Sequence, residues 1–198
     1  MEKQSLIFIT GGARSGKSSF AEQYAAKIAI ANRRKLYYLA TSKMTDDEMR
    51  ARIERHQRDR RQSGYDWETV ECSRALHEAV DFFQHGSVIL LDCLTVLLAN
   101  ELFTSEKENK DSITQELEET LFHNILHGID SVFTHAHTLF IVSNEIVYEY
   151  VKDHSLTQTY SKLLGRLHQE IVRQADQAYV VEAGIPILMK EGDVCTES

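Results

Sequence analysis

The stretch Ile7-Phe8-Ile9-Thr10-Gly11-Gly12-Ala13-Arg14-Ser15-Gly16-Lys17-Ser18 decides the fold. A short apolar run of strand type enters a loop of the form G-x-x-x-x-G-K-[ST]. A helical pattern, Ser19-Phe20-Ala21-Glu22-Gln23-Tyr24-Ala25, leaves it. Glycines at 11 and 16 let successive backbone N–H groups turn inward toward phosphate oxygens. The new helix adds the positive end of its dipole at the same point. Lys17 is placed to reach the terminal phosphates, and the Ser18 hydroxyl to ligate Mg2+. A glycine-rich turn with no ligand is the plainer alternative. It is disfavoured because strand, loop and helix all stand where the motif needs them. The stretch predicts a nucleoside-triphosphate site.

Outward from this loop the pattern alternates. Strands are expected at Leu6–Thr10, Lys35–Ala40, Trp67–Glu71, Ser87–Asp92, His137–Val142, Gln177–Glu182 and Ile185–Met189. Helices are expected at Lys17–Ala31, Asp46–Arg61, Ser73–Phe83, Leu94–Leu102, Ile113–Phe133 and Leu156–Ala175. Thr104–Asp111 reads as a polar, mobile loop. Residues 191–198 read as a frayed tail. Pro186 places the last strand at a sheet edge. Continuous apolar strands between helices predict an α/β, P-loop NTPase-type three-layer sandwich with a mostly parallel central sheet. The expected organisation is one domain over residues 1–198. Ligands in such sheets bind beyond the carboxyl ends of the strands. Thr10, Thr41, Asp92 and Asn144 lie at those ends and should line one crevice. Asp92, an acid after four apolar residues, is the expected Mg2+ partner of Ser18.

Bulk properties fit an ordinary soluble globule. The 198 residues are 42% hydrophobic and 26% charged, enough for a full core without disulfides. A net charge of −8 argues against a nucleic-acid partner. Cys72, Cys93 and Cys195 form no C-x-x-C pair and read as reduced thiols of a cytoplasmic protein. Met1-Glu2-Lys3-Gln4 leads straight into a strand, read as no secretory leader. No apolar run is long enough for a membrane span.

The Asp46–Arg61 segment is dense in charge, and Glu48, Arg52 and His56 are spaced to share one helical face. A neutral imidazole is a good nucleophile toward phosphorus, and arginines beside it could stabilise a leaving pyrophosphate. A solvated, salt-bridged helix with an ordinary surface histidine has the same residue pattern. His123 with His127, and His135 with His137, lack the companions of a zinc site. Tyr148 and Tyr150 fit packing better than stacking on a ligand.

The motifs together resemble the bifunctional adenosylcobinamide kinase / adenosylcobinamide-phosphate guanylyltransferase family of cobalamin biosynthesis. The resemblance is carried by Gly11 through Ser18, Ala40-Thr41-Ser42, Asp47-Glu48-Met49, Arg52-Ile53-x-x-His56 and Trp67-x-Thr69-x-Glu71. It continues through Asp92-Cys93-Leu94-Thr95, Asn100, Ser143-Asn144-Glu145, Gly165-Arg166-Leu167-x-Gln169 and Ala175-Asp176. It implies two reactions. One is phosphorylation of adenosylcobinamide by ATP or GTP. The other is transfer of GMP from GTP to the phosphorylated corrinoid through a guanylylated histidine, which falls on His56. It further implies GTP contacts from Ala40, Thr41 and Ser42, from Gln57, Arg58, Asp59 and Arg60, and from Glu71 and Asp92. A homo-oligomer is also implied. Two extra residues between His56 and Trp67 leave either Arg60 or Arg61 in the family's arginine position. The family's glycines and proline after Asn144-Glu145 are replaced by Ile146-Val147-Tyr148-Glu149-Tyr150-Val151-Lys152. Gln158, Ser161, Lys162 and His168 also depart from its pattern. These changes leave open an altered corrinoid site or the loss of one activity. The rival readings are a P-loop kinase of another small alcohol and a degenerate, non-catalytic GTP-binding member.

Overall fold

The structure is a computed structural model. It describes residues 3–42, 58, 60, 62, 64–108, 114–145 and 155–192, with backbone alone at 105–108 and 155. Its strands are β1 (Ser5–Thr10), β2 (Leu36–Ala40), β3 (Trp67–Glu71), β4 (Ser87–Asp92), β5 (Ala136–Val142), β6 (Gln177–Glu182) and β7 (Ile185–Glu191). Its helices are α1 (Lys17–Ala31), α2 (Leu94–Glu108), α3 (Gln115–His135) and α4 (Ser155–Gln174), with a 3-10 helix at Leu76–Phe82. The strands form one seven-stranded sheet in the order β3-β2-β4-β5-β1-β6-β7. Every pairing is parallel except β6 with β7. The order separates β1 from β4 by β5. As expected from Pro186, β7 is an edge strand.

Strand alternation divides the core into two layers. Leu6, Phe8, Leu39, Ile89, Leu91, Leu139 and Ile141 face one side, where α2, α3 and α4 cover them. Ile7, Ile9, Leu36, Tyr38, Val88, Leu90 and Phe140 face the other, against α1. There α1 presents Ala21, Ala25, Ala26 and Ala29, all buried. Small side chains let the helix lie close over the sheet, beneath the loop that it follows. Burial on both faces is what continuous apolar strands require.

Three expectations are corrected. Thr104–Glu108 is helical rather than loop, because α2 runs on to Glu108. Thr104 Oγ1 donates to the Asn100 carbonyl at 2.8 Å, so its polar group is satisfied inside the helix. The helix expected over Ser73–Phe83 is the shorter 3-10 helix. Ala75 has φ 48°, and its N–H donates to Glu101 Oε1 at 2.7 Å, which holds the preceding residues out of helical geometry. β7 extends past Met189 to Glu191. Most of the charged helix expected over Asp46–Arg61, the segment with Tyr148 and Tyr150, and residues 193–198 lie outside the described residues. Residues 58, 60 and 62 are helical. Among the described residues, no helix is long and apolar enough to cross a membrane.

His168 on α4 packs edge-on against Phe8, with ring centroids 5.1 Å apart. Its Nε2 lies 2.7 Å from Ser143 Oγ just beyond β5. Burial lowers its pKa to about 4, against an ordinary value near ~6.5. Between those values the unfolded chain binds a proton that the folded chain excludes. The contribution is therefore fully present above about pH 6.5 and is lost on acidification toward pH 4. Denaturant titrations at pH 7 and pH 5 should show wild type losing about 2 kcal/mol more stability than His168→Asn. Parallel losses would assign the acid sensitivity elsewhere.

Candidate functional site

Between β1 and α1 the Gly11–Ser18 loop is held from three sides. A Cβ on Gly11 would lie 2.3 Å from the Val181 carbonyl oxygen of β6, a distance only glycine allows. The Glu145 N–H donates to the Gly11 carbonyl at 3.2 Å, and the Gly184 N–H donates to the Ser15 carbonyl at 2.8 Å. Gly16, at φ 91°, would place a Cβ 3.1 Å from Gly184 Cα. Ala183 and Gly184 both have positive φ, which makes the β6–β7 connection a tight hairpin turn. That turn braces the loop from below. Lys17 is 7% exposed, and its Nζ donates to the Gly12 carbonyl at 3.0 Å.

Loop carbonyls thus meet protein donors. The first-turn N–H groups of α1 lack helical acceptors and remain for an anion. Thr10 Oγ1 and Ser15 Oγ are buried with no hydrogen-bond partner among the described residues. Each such orphan costs about 1–3 kcal/mol. Two of them at one loop mark a place where a ligand would supply the missing bonds.

The strand ends form a row. Ala40 stands opposite both Glu71 and Asp92, Asp92 opposite Val142, and Val142 opposite Ile9. Asp92 is therefore two strand spacings, ~10 Å, from β1 and about the same from Glu71. The crevice expected from Thr10, Thr41, Asp92 and Asn144 lies along this row. Around Thr41 and Asn144 its floor is hydrogen-bonded. Thr41 Oγ1 accepts from the Cys93 N–H at 2.8 Å and donates to the Cys93 carbonyl at 2.9 Å. The Thr41 N–H reaches the Asp92 carbonyl, and its own carbonyl accepts from Asn100 Nδ2 at 2.9 Å. Thr41 is 0% exposed and ties β2 to β4, while Ala40 and Ser42 beside it are half-buried. Asn144 Nδ2 donates to Thr95 Oγ1 at 3.1 Å. Burial first, then the charge of Asp92, push the Cys93 thiol up. It stays protonated beside Thr95 and is no nucleophile.

Asp92 is half-buried, and its Oδ2 accepts from the Tyr38 hydroxyl at 2.9 Å. Burial, and next the Asp92 charge, raise the Tyr38 pKa well above its ordinary value, so the hydroxyl remains a donor. The Arg60 guanidinium lies 3.5 Å from the Tyr38 ring centroid, with Nη1 3.2 Å from Glu22 Oε1 of α1. Ser18, expected with Asp92 to hold a hard cation, is half-buried in the first turn of α1. Glu71 and Arg58 are exposed. His56, Gln57 and Asp59 lie outside the described residues.

Sequence reasoning missed Tyr38, Glu22 and the Ser143–His168 pair. Tyr38 had one signal, shared with Tyr37 beside it: a hydroxyl-bearing side chain inside a buried strand needs a partner.

Residues 7–189 match the family described as cobinamide kinase / cobinamide phosphate guanyltransferase. The chain is 31% identical over 188 residues to the bifunctional adenosylcobalamin biosynthesis protein CobU of Escherichia coli (strain K12), covering 93% of this chain and 99% of that protein. It is 32% identical over 188 residues to CobU of Salmonella typhimurium, again covering 93% and 99%. It is 34% identical over 183 residues to CobP of Pseudomonas aeruginosa, covering 92% and 95%. Set on the braced P-loop and the row of strand ends, these likenesses place the chain in the cobinamide kinase / cobinamide phosphate guanyltransferase family.

Proposed function

We propose that the chain phosphorylates adenosylcobinamide with ATP or GTP. We further propose that it transfers GMP from GTP to adenosylcobinamide-phosphate through guanylyl-His56, giving adenosylcobinamide-GDP. The observation that carries this reading is the family match over residues 7–189, a span that contains both the P-loop and His56.

The loop N–H groups and Lys17 bind the phosphates. In the kinase step they hold the γ-phosphoryl for attack by the corrinoid's hydroxyl oxygen, whose proton passes to solvent as the bond to the β–γ bridging oxygen breaks and the nucleoside diphosphate leaves. In the transfer step a neutral imidazole nitrogen of His56 bonds to the α-phosphorus. The bond to the α–β bridging oxygen breaks, and pyrophosphate leaves with the electron pair. The phosphate of the corrinoid then displaces His56 from phosphorus. Ala40, Thr41, Ser42, Gln57, Arg58, Asp59, Glu71 and Asp92 remain the proposed nucleotide contacts, while Arg60, whose guanidinium lies against Glu22 and the Tyr38 ring, is proposed as a support and not a direct contact. For Thr41, whose polar groups are used within the floor, that role is the shape of the crevice.

The residues present fit Mg2+: Asp92 is a half-buried carboxylate with one oxygen held by Tyr38, and the loop that carries the Ser18 hydroxyl follows the strand two places away in the sheet. When bound there, the ion neutralises phosphate charge. Residues 1–198 act as one unit in the cytoplasm, where nucleotides are supplied and Cys72 and Cys93 stay free. A homo-oligomer is consistent with β7, whose Ile185, Ile187, Leu188 and Met189 are exposed along a sheet edge.

Incubation with α-32P-GTP and Mg2+ should leave acid-labile label on wild type and none on His56→Ala. An unlabelled wild type that still binds GTP would overturn the transferase half. Lys17→Ala should lower γ-phosphoryl transfer to adenosylcobinamide by about 10²-fold or more. Turnover near the wild-type rate would remove Lys17 from the phosphate site.

A further inference from the structure

A buried line of contacts joins the metal donors to the segment that bears His56. Arg60 follows His56 by four residues and is helical. Its side chain is 5% exposed, with Nη1 3.2 Å from Glu22 Oε1 and its guanidinium 3.5 Å from the Tyr38 ring centroid. Glu22 follows Ser18 by four residues on α1, so the two share a helical face. Tyr38 in turn donates to Asp92 Oδ2 at 2.9 Å. Arg60 therefore meets both elements that carry the oxygen donors: α1 through Glu22, and the end of β4 through Tyr38.

We propose that Arg60 and Tyr38 are positioning residues for guanylyl transfer, fixing the His56-bearing segment to the Ser18 helix and to the Asp92 carboxylate. The inference rests on the His56 reading above and adds what holds that residue in register with the phosphates. Three physical points favour it. First, four residues of chain reach at most about 14 Å, so anchoring Arg60 limits how far the His56 end can depart from the crevice. A misplacement of about 1 Å costs up to ~10²-fold in rate, which makes such an anchor worth its burial. Second, a planar guanidinium can stack on a ring and donate to a carboxylate at once, and an ammonium cannot do both. Third, a buried ion pair adds little net stability over apolar packing. Its use here is better matched to fixing one arrangement of α1, β2 and the arginine-bearing segment. The Tyr38 hydroxyl serves the same end at the other terminus. It occupies one Asp92 oxygen and orients the carboxylate, as outer partners of metal ligands do.

The test compares Arg60→Lys and Tyr38→Phe with wild type in three measurements. These are the single-turnover rate of label transfer from α-32P-GTP to His56, the equilibrium affinity for GTP with and without Mg2+, and hydrogen exchange in the peptide containing His56. Arg60→Lys should slow labelling at least about tenfold, with GTP affinity within about twofold and faster exchange in the His56 peptide. Tyr38→Phe, which keeps the ring beneath Arg60, should raise the Mg2+ concentration for half-maximal GTP binding about tenfold. It should leave metal-free binding unchanged. Loss of GTP affinity in Arg60→Lys equal to its loss of labelling would overturn the proposal in favour of a direct phosphate contact. Wild-type behaviour of both variants would overturn it outright. If wild type itself takes no label, the transferase reading fails. The exchange and Mg2+ measurements then decide the anchor: changed values in both variants uphold it, and unchanged values overturn it.

Discussion

The close approach of Gly11 to the Val181 carbonyl is the constraint on which the site depends. No side chain fits there, since a Cβ would sit 2.3 Å from that oxygen. The consequence is geometric. With Gly11 against β6, the loop leaves β1 low enough for the Gly184 N–H of the β6–β7 turn to reach the Ser15 carbonyl. The Gly11, Gly12 and Ser15 carbonyls are thereby taken up by protein donors. An apparently peripheral hairpin thus shapes the phosphate cradle, and β7 contributes to the site without touching it.

The sheet order then sets where chemistry can occur. Because β5 separates β1 from β4, the carboxylate at the end of β4 stands ~10 Å from the P-loop strand, a gap that phosphates and their cation would span. The hydrogen bonds of Thr41, Asn100 and Asn144 keep the floor of this gap rigid. Rigidity matters more than contact number here, because preorganised donors cost nothing at the moment of reaction. The two orphaned hydroxyls, Thr10 Oγ1 and Ser15 Oγ, are the exception.

Much of this was legible in the sequence, for local reasons. The limits of α1, β3, β4 and β6 follow from apolar runs bounded by glycine, charge or turn residues, and Asp92 follows from its place after a buried strand. What was not legible depends on pairs distant in the chain. The resemblance names Thr41 as a GTP contact, but its bonds to Cys93 form only once β2 lies beside β4. Tyr38 with Asp92, and Arg60 with Glu22, arise the same way. The polar run at Thr104–Glu108 reads as a loop because charge alone does not distinguish a solvated helix face from a connection. The 3-10 helix was misjudged for a similar reason. Its start is fixed by Glu101 of α2, a residue outside any local window.

The central claim is that the chain holds a nucleoside triphosphate in a loop whose shape depends on glycine at position 11. The most direct measurement is the shift in thermal midpoint caused by saturating GTP and Mg2+, for wild type and for Gly11→Ala. A ligand that binds only the folded state raises stability by about 2.7 kcal/mol at 100 times its Kd. The account predicts a rise of several degrees for wild type. It predicts little or none for Gly11→Ala, which should still unfold cooperatively on its own. An equal rise in both proteins would contradict it, because the nucleotide would then bind without the loop geometry that Gly11 imposes.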